Sequence, residues 1–169
     1  MVTSDQRGYT LVETLTVVAI VATLFTLGPD LVKQTERFFM LNRTQTELQQ
    51  DTRISMALIA ANLREGVKSS IVIDNAPGQP YCSRIRFAKM DGTAIQFYQN
   101  NTQLVMNATP PGGVTVTRIL TSSLRSLAFG FTRSYDLSSV TMTLGLQKGI
   151  YEGKLKNFHM ATEQVNIWN

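Results

Sequence analysis

The side chains that most often carry out catalysis or bind metals are scarce in this sequence. Among 169 residues there is one histidine, His159, and one cysteine, Cys82. No serine or aspartate stands at a recognisable motif spacing from His159, and no nucleophile elbow, phosphate loop or H-E-x-x-H motif is present. The acidic residues are dispersed, so no calcium loop is indicated. We therefore predict no catalytic residue, no metal site and no cofactor, and a chain that is not an enzyme.

Glu13 is the residue whose surroundings most need a chemical explanation. It is the only charged residue in Tyr9–Leu27, whose sequence is YTLVETLTVVAIVATLFTL. A carboxylate inside a lipid bilayer costs a few kcal/mol. Glu13 therefore either lies near the membrane surface, where it is hydrated, or pairs with a positive group.

The apolar run around Glu13 has the length of a membrane span. It has 19 residues, and at about 1.5 Å per residue a helix of this length spans about 28 Å, close to a hydrocarbon layer of about 30 Å. It is longer than the apolar part of a cleaved secretory signal, about 7–15 residues, and no A-x-A-like site follows it. No later run is comparable. The sequence therefore predicts one N-terminal span followed by a separate domain.

The residues before and within the span form a specific motif. The string RGYTLVETLTVVAIVATL, with Gly8 followed by an aromatic residue, three further residues and Glu13, resembles the class III signal of type IV pilins and type II secretion pseudopilins. The resemblance implies cleavage between Gly8 and Tyr9 by a prepilin peptidase, and N-methylation of the new Tyr9 amine.

Basic residues on both sides of the span, Arg7 before it and Lys33 after it, do not fix its orientation. The resemblance places residues 1–8 in the cytoplasm and the body of the chain across the inner membrane.

The resemblance also implies a role in assembly for particular side chains. Glu13 would pair with the Tyr9 amine of its own chain or of a neighbour, which sets the axial register between subunits because an unpaired buried charge is heavily penalised. Pro29 lies close to the helix-bending proline of the family, so we expect a kink or a local melt there. The residues expected to pack in the filament core include Leu11, Val12, Leu15 and Val18.

A second helical segment follows the span. Residues 30–65 contain no glycine or proline, and Gly66 is a plausible stop. Apolar residues recur there near helical spacing, which predicts an amphipathic helix packed on its own domain; they are Leu48, Ile54, Leu58 and Ala61, with Met56, Ile59, Leu63 and Val67. The cluster at residues 38–41, Phe-Phe-Met-Leu, is expected to meet neighbouring subunits.

From Ile71 onward, apolar residues recur at every second position instead of at helical spacing. Alternating pairs such as Ile85 and Phe87 predict strands, and turn signals such as Asp91-Gly92 and Pro110-Pro111-Gly112-Gly113 separate them. Asn100-Asn101 suits a two-residue hairpin. The predicted class is α+β: a long N-terminal helix, half membrane-spanning and half amphipathic, on a mostly antiparallel β-sheet, with the pilin-like topology implied by the resemblance. The predicted segments are a leader at 1–8, a span at 9–28, the amphipathic helix at 29–66 and a β-rich domain at 67–169.

The β-rich region is basic, with ten lysines and arginines against five acidic residues in 66–169. The basic residues expected on its surface are Arg84, Arg86, Arg118, Arg125, Arg133, Lys148, Lys154 and Lys156. They form either a solvated surface or a docking face for an acidic partner, a filament neighbour or DNA. The aromatic residues that would stack on bases lie mostly at core positions, which disfavours DNA.

The later segments resemble W-type minor pilins and J-type minor pseudopilins in order. The segments are RISMALIAANLREGVKSSI, IRFAKMDGTAIQFY, LRSLAFGFTRSYD and TEQVNIWN. The single Cys82, expected to be a buried or unreactive thiol, cannot form the C-terminal disulfide common in major pilins. The resemblance implies a minor pilin or pseudopilin near a filament tip, with prepilin peptidase, other pilins, the inner-membrane assembly platform and membrane lipid as partners. A major pilin, a DNA-uptake pilus subunit and a signal-anchored periplasmic binding domain without a filament role remain alternatives.

Overall fold

The computed structural model describes residues 10–133, 136–150 and 155–168. The elements described are α1 (Leu11–Arg64), a short 3₁₀ helix (Lys68–Ser70), and strands β1 (Val72–Asp74), β2 (Arg84–Ala88), β3 (Ala94–Asn100), β4 (Gln103–Thr109), β5 (Val116–Thr121), β6 (Leu124–Arg133), β7 (Asp136–Ile150) and β8 (Leu155–Asn166). The predicted α+β order, a long N-terminal helix followed by antiparallel strands, is confirmed.

The chain divides into two compact units, one ending at Leu41 and one beginning at Asn42. The described part of the first unit, from residue 10 to residue 41, is helical from Leu11 onward, and most of its side chains are exposed. The second unit contains the rest of α1 and all eight described strands.

The strands of the second unit form two sheets in which every described pair is antiparallel. The first sheet has the order β1-β2-β3-β4-β5 and the second the order β6-β7-β8. Within each sheet, each strand pairs with its sequence neighbour, so consecutive hairpins build both sheets. The sequence predicted antiparallel pairing but not the division into two sheets.

One face of the helical segment in the second unit is buried against the sheets. Leu48, Met56, Ile59 and Leu63 are buried there, as predicted. The prediction that Ile54 and Ala61 share this face is wrong, because both are exposed. At about 100° per residue, Ile54 lies about 240° around the helix from Leu48.

The core joins this helix face to the inner faces of both sheets. Alternate strand residues fill it, as the period of two predicted. They include Ile85, Phe87, Ile95, Phe97 and Leu104 from the first sheet, and Leu127, Phe129, Val140, Met142, Leu144 and Leu146 from the second. Phe87 and Phe97 stack with ring centroids 6.4 Å apart.

Gln99 connects the two sheets from a buried position at the end of β3. Its side-chain carbonyl accepts a hydrogen bond from the Leu127 N–H at 3.1 Å, and its amide donates to the Asn101 carbonyl at 3.0 Å. A backbone bond from the Phe129 N–H to the Cys82 carbonyl, 2.9 Å, joins β6 to the loop before β2. These bonds satisfy polar groups along the inner edge of β6.

The predicted two-residue hairpin between β3 and β4 is present, but its loop lies one residue later than predicted. The β3–β4 hairpin has a two-residue loop at Asn101 and Thr102 rather than at Asn100 and Asn101, because Asn100 still pairs with Gln103. Asn101 has φ of 53°, a left-handed conformation that asparagine tolerates.

After α1, Gly66 is buried, and an added Cβ would stand 3.0 Å from both the Leu63 carbonyl and the Phe87 ring. Gly66 therefore serves a close approach between the helix end and β2.

Candidate membrane and assembly segment

The helix begins with a cap that the sequence analysis did not identify. The Thr10 hydroxyl accepts a hydrogen bond from the Glu13 backbone N–H at 3.3 Å, and the Thr10 carbonyl lies 3.0 Å from the same nitrogen. The order Thr-x-x-Glu is the sequence form of a capping box, so the signal was present. The Glu13 carboxylate lies in the first turn, where the helix dipole favours negative charge.

The threonine hydroxyls of the apolar segment are satisfied within the helix. Thr16 donates to the Val12 carbonyl at 2.7 Å and Thr26 to the Ala22 carbonyl at 2.8 Å. Thr14 and Thr23 make equivalent bonds. Unsatisfied polar groups are costly in hydrocarbon. These bonds make the threonines compatible with lipid.

No described residue outside the helix covers the apolar side chains of this segment. Among the described residues, one helix is long and apolar enough to cross a membrane, and its most apolar window, with mean hydropathy 2.0, is not buried at all. Leu11 is 82% exposed and Val12 73%. Continuous exposed apolar surface of this kind marks contact with a membrane or with other proteins. Length and composition are equally compatible with a membrane span and with a signal sequence.

The predicted assembly residues fall on different faces of the helix. Leu11, Leu15 and Val18, with Thr14, line one shallow depression of about 300 Å³. Glu13 lies about 200° around the helix from Leu11, nearly opposite that depression. Val12 lies between the two faces. Gly8 and Tyr9, the predicted processing site, lie outside the described residues.

Pro29 lies inside α1 and is exposed. Because proline has no N–H, the Phe25 carbonyl lacks its usual helical donor. The helix is nevertheless continuous through Pro29, so the local melt that was one of two expected outcomes does not occur.

Two of the predicted surface arginines share one acidic partner. Arg84 binds both carboxylate oxygens of Asp74, with Nη2 to Oδ2 at 2.7 Å, and Arg86 donates to Oδ2 at 2.6 Å. The hydrogen bonds from Arg84, assisted by the charges of Arg84 and Arg86, lower the pKa of Asp74 against the opposing effect of partial burial. This cluster carries a net charge of only +1.

Other basic residues are also paired. Lys148 binds Glu47 at 2.7 Å, and Arg43 binds the same carboxylate at 3.1 Å. The hydrogen bond from Lys148, followed by that from Arg43, lowers the pKa of Glu47. Lys89 binds Glu65 at 2.8 Å. The predicted basic face is thus partly neutralised.

The remaining predicted positions are dispersed. Arg118, Arg125 and Arg133 are exposed on β5 and β6, Lys156 is exposed on β8, and Lys154 lies outside the described residues. Cys82 is half-buried in the loop before β2. His159 lies in β8, and the described residues contain no group of three His, Cys, Asp or Glu side chains able to hold a metal ion.

No protein-family model matches the chain, and no curated protein matches it.

Proposed function

We propose that this chain is a pilin-like subunit, a minor pilin or minor pseudopilin, that is processed by a prepilin peptidase and assembled into a filament through its N-terminal helix. The single observation that carries the proposal is the uncovered apolar helix, with Glu13 in its first turn, joined to an antiparallel α+β domain. The Gly8–Tyr9 motif directly before this helix supports processing.

The proposed mechanism uses the helix twice. The span first holds the subunit in the inner membrane, with the second unit in the periplasm. An assembly platform then extracts it, and lipid contacts are replaced by contacts with other apolar helices. Because Glu13 and the Leu11–Leu15–Val18 depression lie on nearly opposite faces, one helix can contact two neighbours at once. Charge pairing at Glu13 sets the axial register, and the apolar depression supplies contact area.

The test replaces the Glu13 carboxylate while keeping its shape. We expect Glu13→Gln to be processed and retained in the membrane, but to fall at least tenfold in sheared filaments measured by quantitative immunoblot against the membrane pool. Glu36→Gln, at an exposed position further along the same helix, is the matched control and should assemble normally. Equal incorporation of both variants would contradict the role of Glu13.

A signal-anchored periplasmic binding domain is the alternative from another class. It predicts no cleavage after Gly8 and no response to Glu13→Ala.

A DNA-uptake subunit predicts salt-sensitive DNA binding that is lost when the arginines are removed. The pairing of Arg84 and Arg86 with Asp74 disfavours this second alternative.

A further inference from the structure

Strand β8 is a long open edge of the three-stranded sheet. The order β6-β7-β8 gives β8 one neighbour, β7, and no described strand lies on its other side. The opposite edge, β6, is joined to the loop before β2 by the bond from Phe129 to Cys82. The edge of an unpaired strand presents a row of N–H and C=O groups on which another strand can pair.

β8 lacks most features by which proteins protect such edges. Its register with β7 is unbroken from Asn166 to Leu155, it contains no proline, and its one lysine, Lys156, is next to its end. By contrast, β5, an edge of the first sheet, has half as many residues and has a register shift against β4. Bulges, prolines and short length are the usual means of blocking edge pairing. β8 is therefore the edge better suited to receive a strand.

A cleft of about 720 Å³ separates β8 from the helix. Half-buried His159, Ala161 and Glu163 form its strand wall. The helix wall is formed mainly by Arg53, Ala57, Ala60 and Arg64, which lie at helical spacing. A strand added to β8 would lie over this helix wall, with every second side chain directed towards it. The two alanines leave room for those side chains.

The charged side chains of the cleft favour an added strand that carries an acidic residue. Arg53 is exposed and makes no ion pair with any residue in the described ranges. Arg53, Arg64 and His159 line the cleft together with a single acidic residue, Glu163. An acidic side chain on the inner face of an added strand would be placed beside Arg53. Complementary charge of this kind fixes register and partner choice.

The outer face of β8 is apolar next to the cleft. Phe158 and Met160 are 51% and 58% exposed. Neighbouring side chains on one face of a sheet pack against each other. Apolar side chains on the outer face of an added strand would therefore cover Phe158 and Met160.

We propose that β8 is a strand-addition site for an extended segment of a partner protein. The segment has small side chains and one acidic residue facing the helix, and apolar side chains on its outer face. The inference stands on β8 and its cleft; only the choice of a separate partner over a second copy also uses the membrane anchoring of the proposed function.

A second copy of this chain fits the edge less well than a separate strand. Antiparallel pairing of two β8 edges places a two-fold axis normal to the joined sheet. The helical segment buries residues from Leu48 to Leu63 and so lies along its sheets. The axis would make these segments of the two copies run in opposite directions, so the two chains would enter the joined domains from opposite ends. This arrangement opposes anchoring of both copies in one membrane.

The test uses a defined peptide and the full-length protein in detergent micelles. The probe is a labelled ten-residue peptide that alternates threonine and valine, with one central aspartate in place of a threonine, followed by fluorescence anisotropy. Two further peptides carry backbone N-methyl groups along one edge or along the other, because methylation removes the N–H donors of that edge only. We expect methylation of one edge to weaken binding more than tenfold and methylation of the other to change it less than twofold.

Matched variants locate the site. Ala57→Trp fills the cleft and should weaken peptide binding at least tenfold, whereas Ala61→Trp, one turn further along but outside the cleft, should have no effect. Arg53→Glu should weaken the aspartate peptide about fivefold, and a lysine in place of the aspartate should restore binding. Absence of binding, equal effects of the two methylated peptides, equal effects of the two tryptophans, or a β8-mediated dimer that excludes the peptide would overturn the proposal.

Discussion

At the scale of single residues, Thr10 and Asp74 show how polar side chains in the described part of the chain find their partners. Thr10 caps the helix through the Glu13 N–H, and Asp74 binds Arg84 and Arg86 across adjacent strands. The capping box could be read from the sequence because its partners are three residues apart. The Asp74 cluster could not, because it depends on the β1–β2 register.

Asp74→Asn should destabilise the second unit by about 1 kcal/mol at neutral pH, because it removes the charge shared by Arg84 and Arg86. The pKa of Asp74 is lowered in the folded state from its ordinary value of 3.8. Its contribution is therefore fully present above that ordinary value and is lost as pH falls through the lower folded value.

The free energy of opening measured by amide hydrogen exchange in β2 checks this prediction. The difference between the wild type and Asp74→Asn should be largest above about pH 5 and shrink on acidification towards and below pH 3.8. Arg118→Gln removes a charge from an exposed position on the edge strand β5 and serves as the control. A difference that grows on acidification would contradict the assigned pKa shift.

At the scale of elements, the apolar periodicity predicted which strand residues face the core. It did not predict how the strands group into two sheets. Ile85 and Phe87 are buried as the alternation predicted. The division into two sheets, the link through Gln99 and the cleft beside β8 depend on contacts between distant residues. Local patterns carry no signal for such contacts.

Leu63 and Ile54 provide a matched test of the buried helix face. Leu63 is fully buried and Ile54 is 59% exposed, although both lie on α1. Leu63→Ala should cost about 2–5 kcal/mol, and Ile54→Ala should cost less than about 0.5 kcal/mol. Hydrogen exchange of core amides in β3 gives both values. Equal costs would show that the helix face is assigned incorrectly.

At the scale of the whole molecule, the chain joins an apolar helical unit to a folded α+β unit that has its own core. The sequence predicted the order of a long apolar helix and antiparallel strands, because an uninterrupted apolar run and the change to a period of two are local signals. Within the described residues of the first unit, nothing covers the apolar side chains of the helix, and membrane lipid or other helices would supply that cover. In the proposed filament role, membrane lipid covers these side chains before assembly, and other helices cover them in the filament.

The intact mass of the protein extracted from its native membrane tests this account most directly. We predict the mass of residues 9–169 plus one methyl group, because the proposed processing by a prepilin peptidase would remove residues 1–8 and methylate the Tyr9 amine. A Gly8→Val variant should remain full-length, whereas Gly28→Ala, inside α1 and with open space around it, should be processed normally. A full-length mass for the wild type, in cells with an active prepilin peptidase, would contradict the pilin assignment.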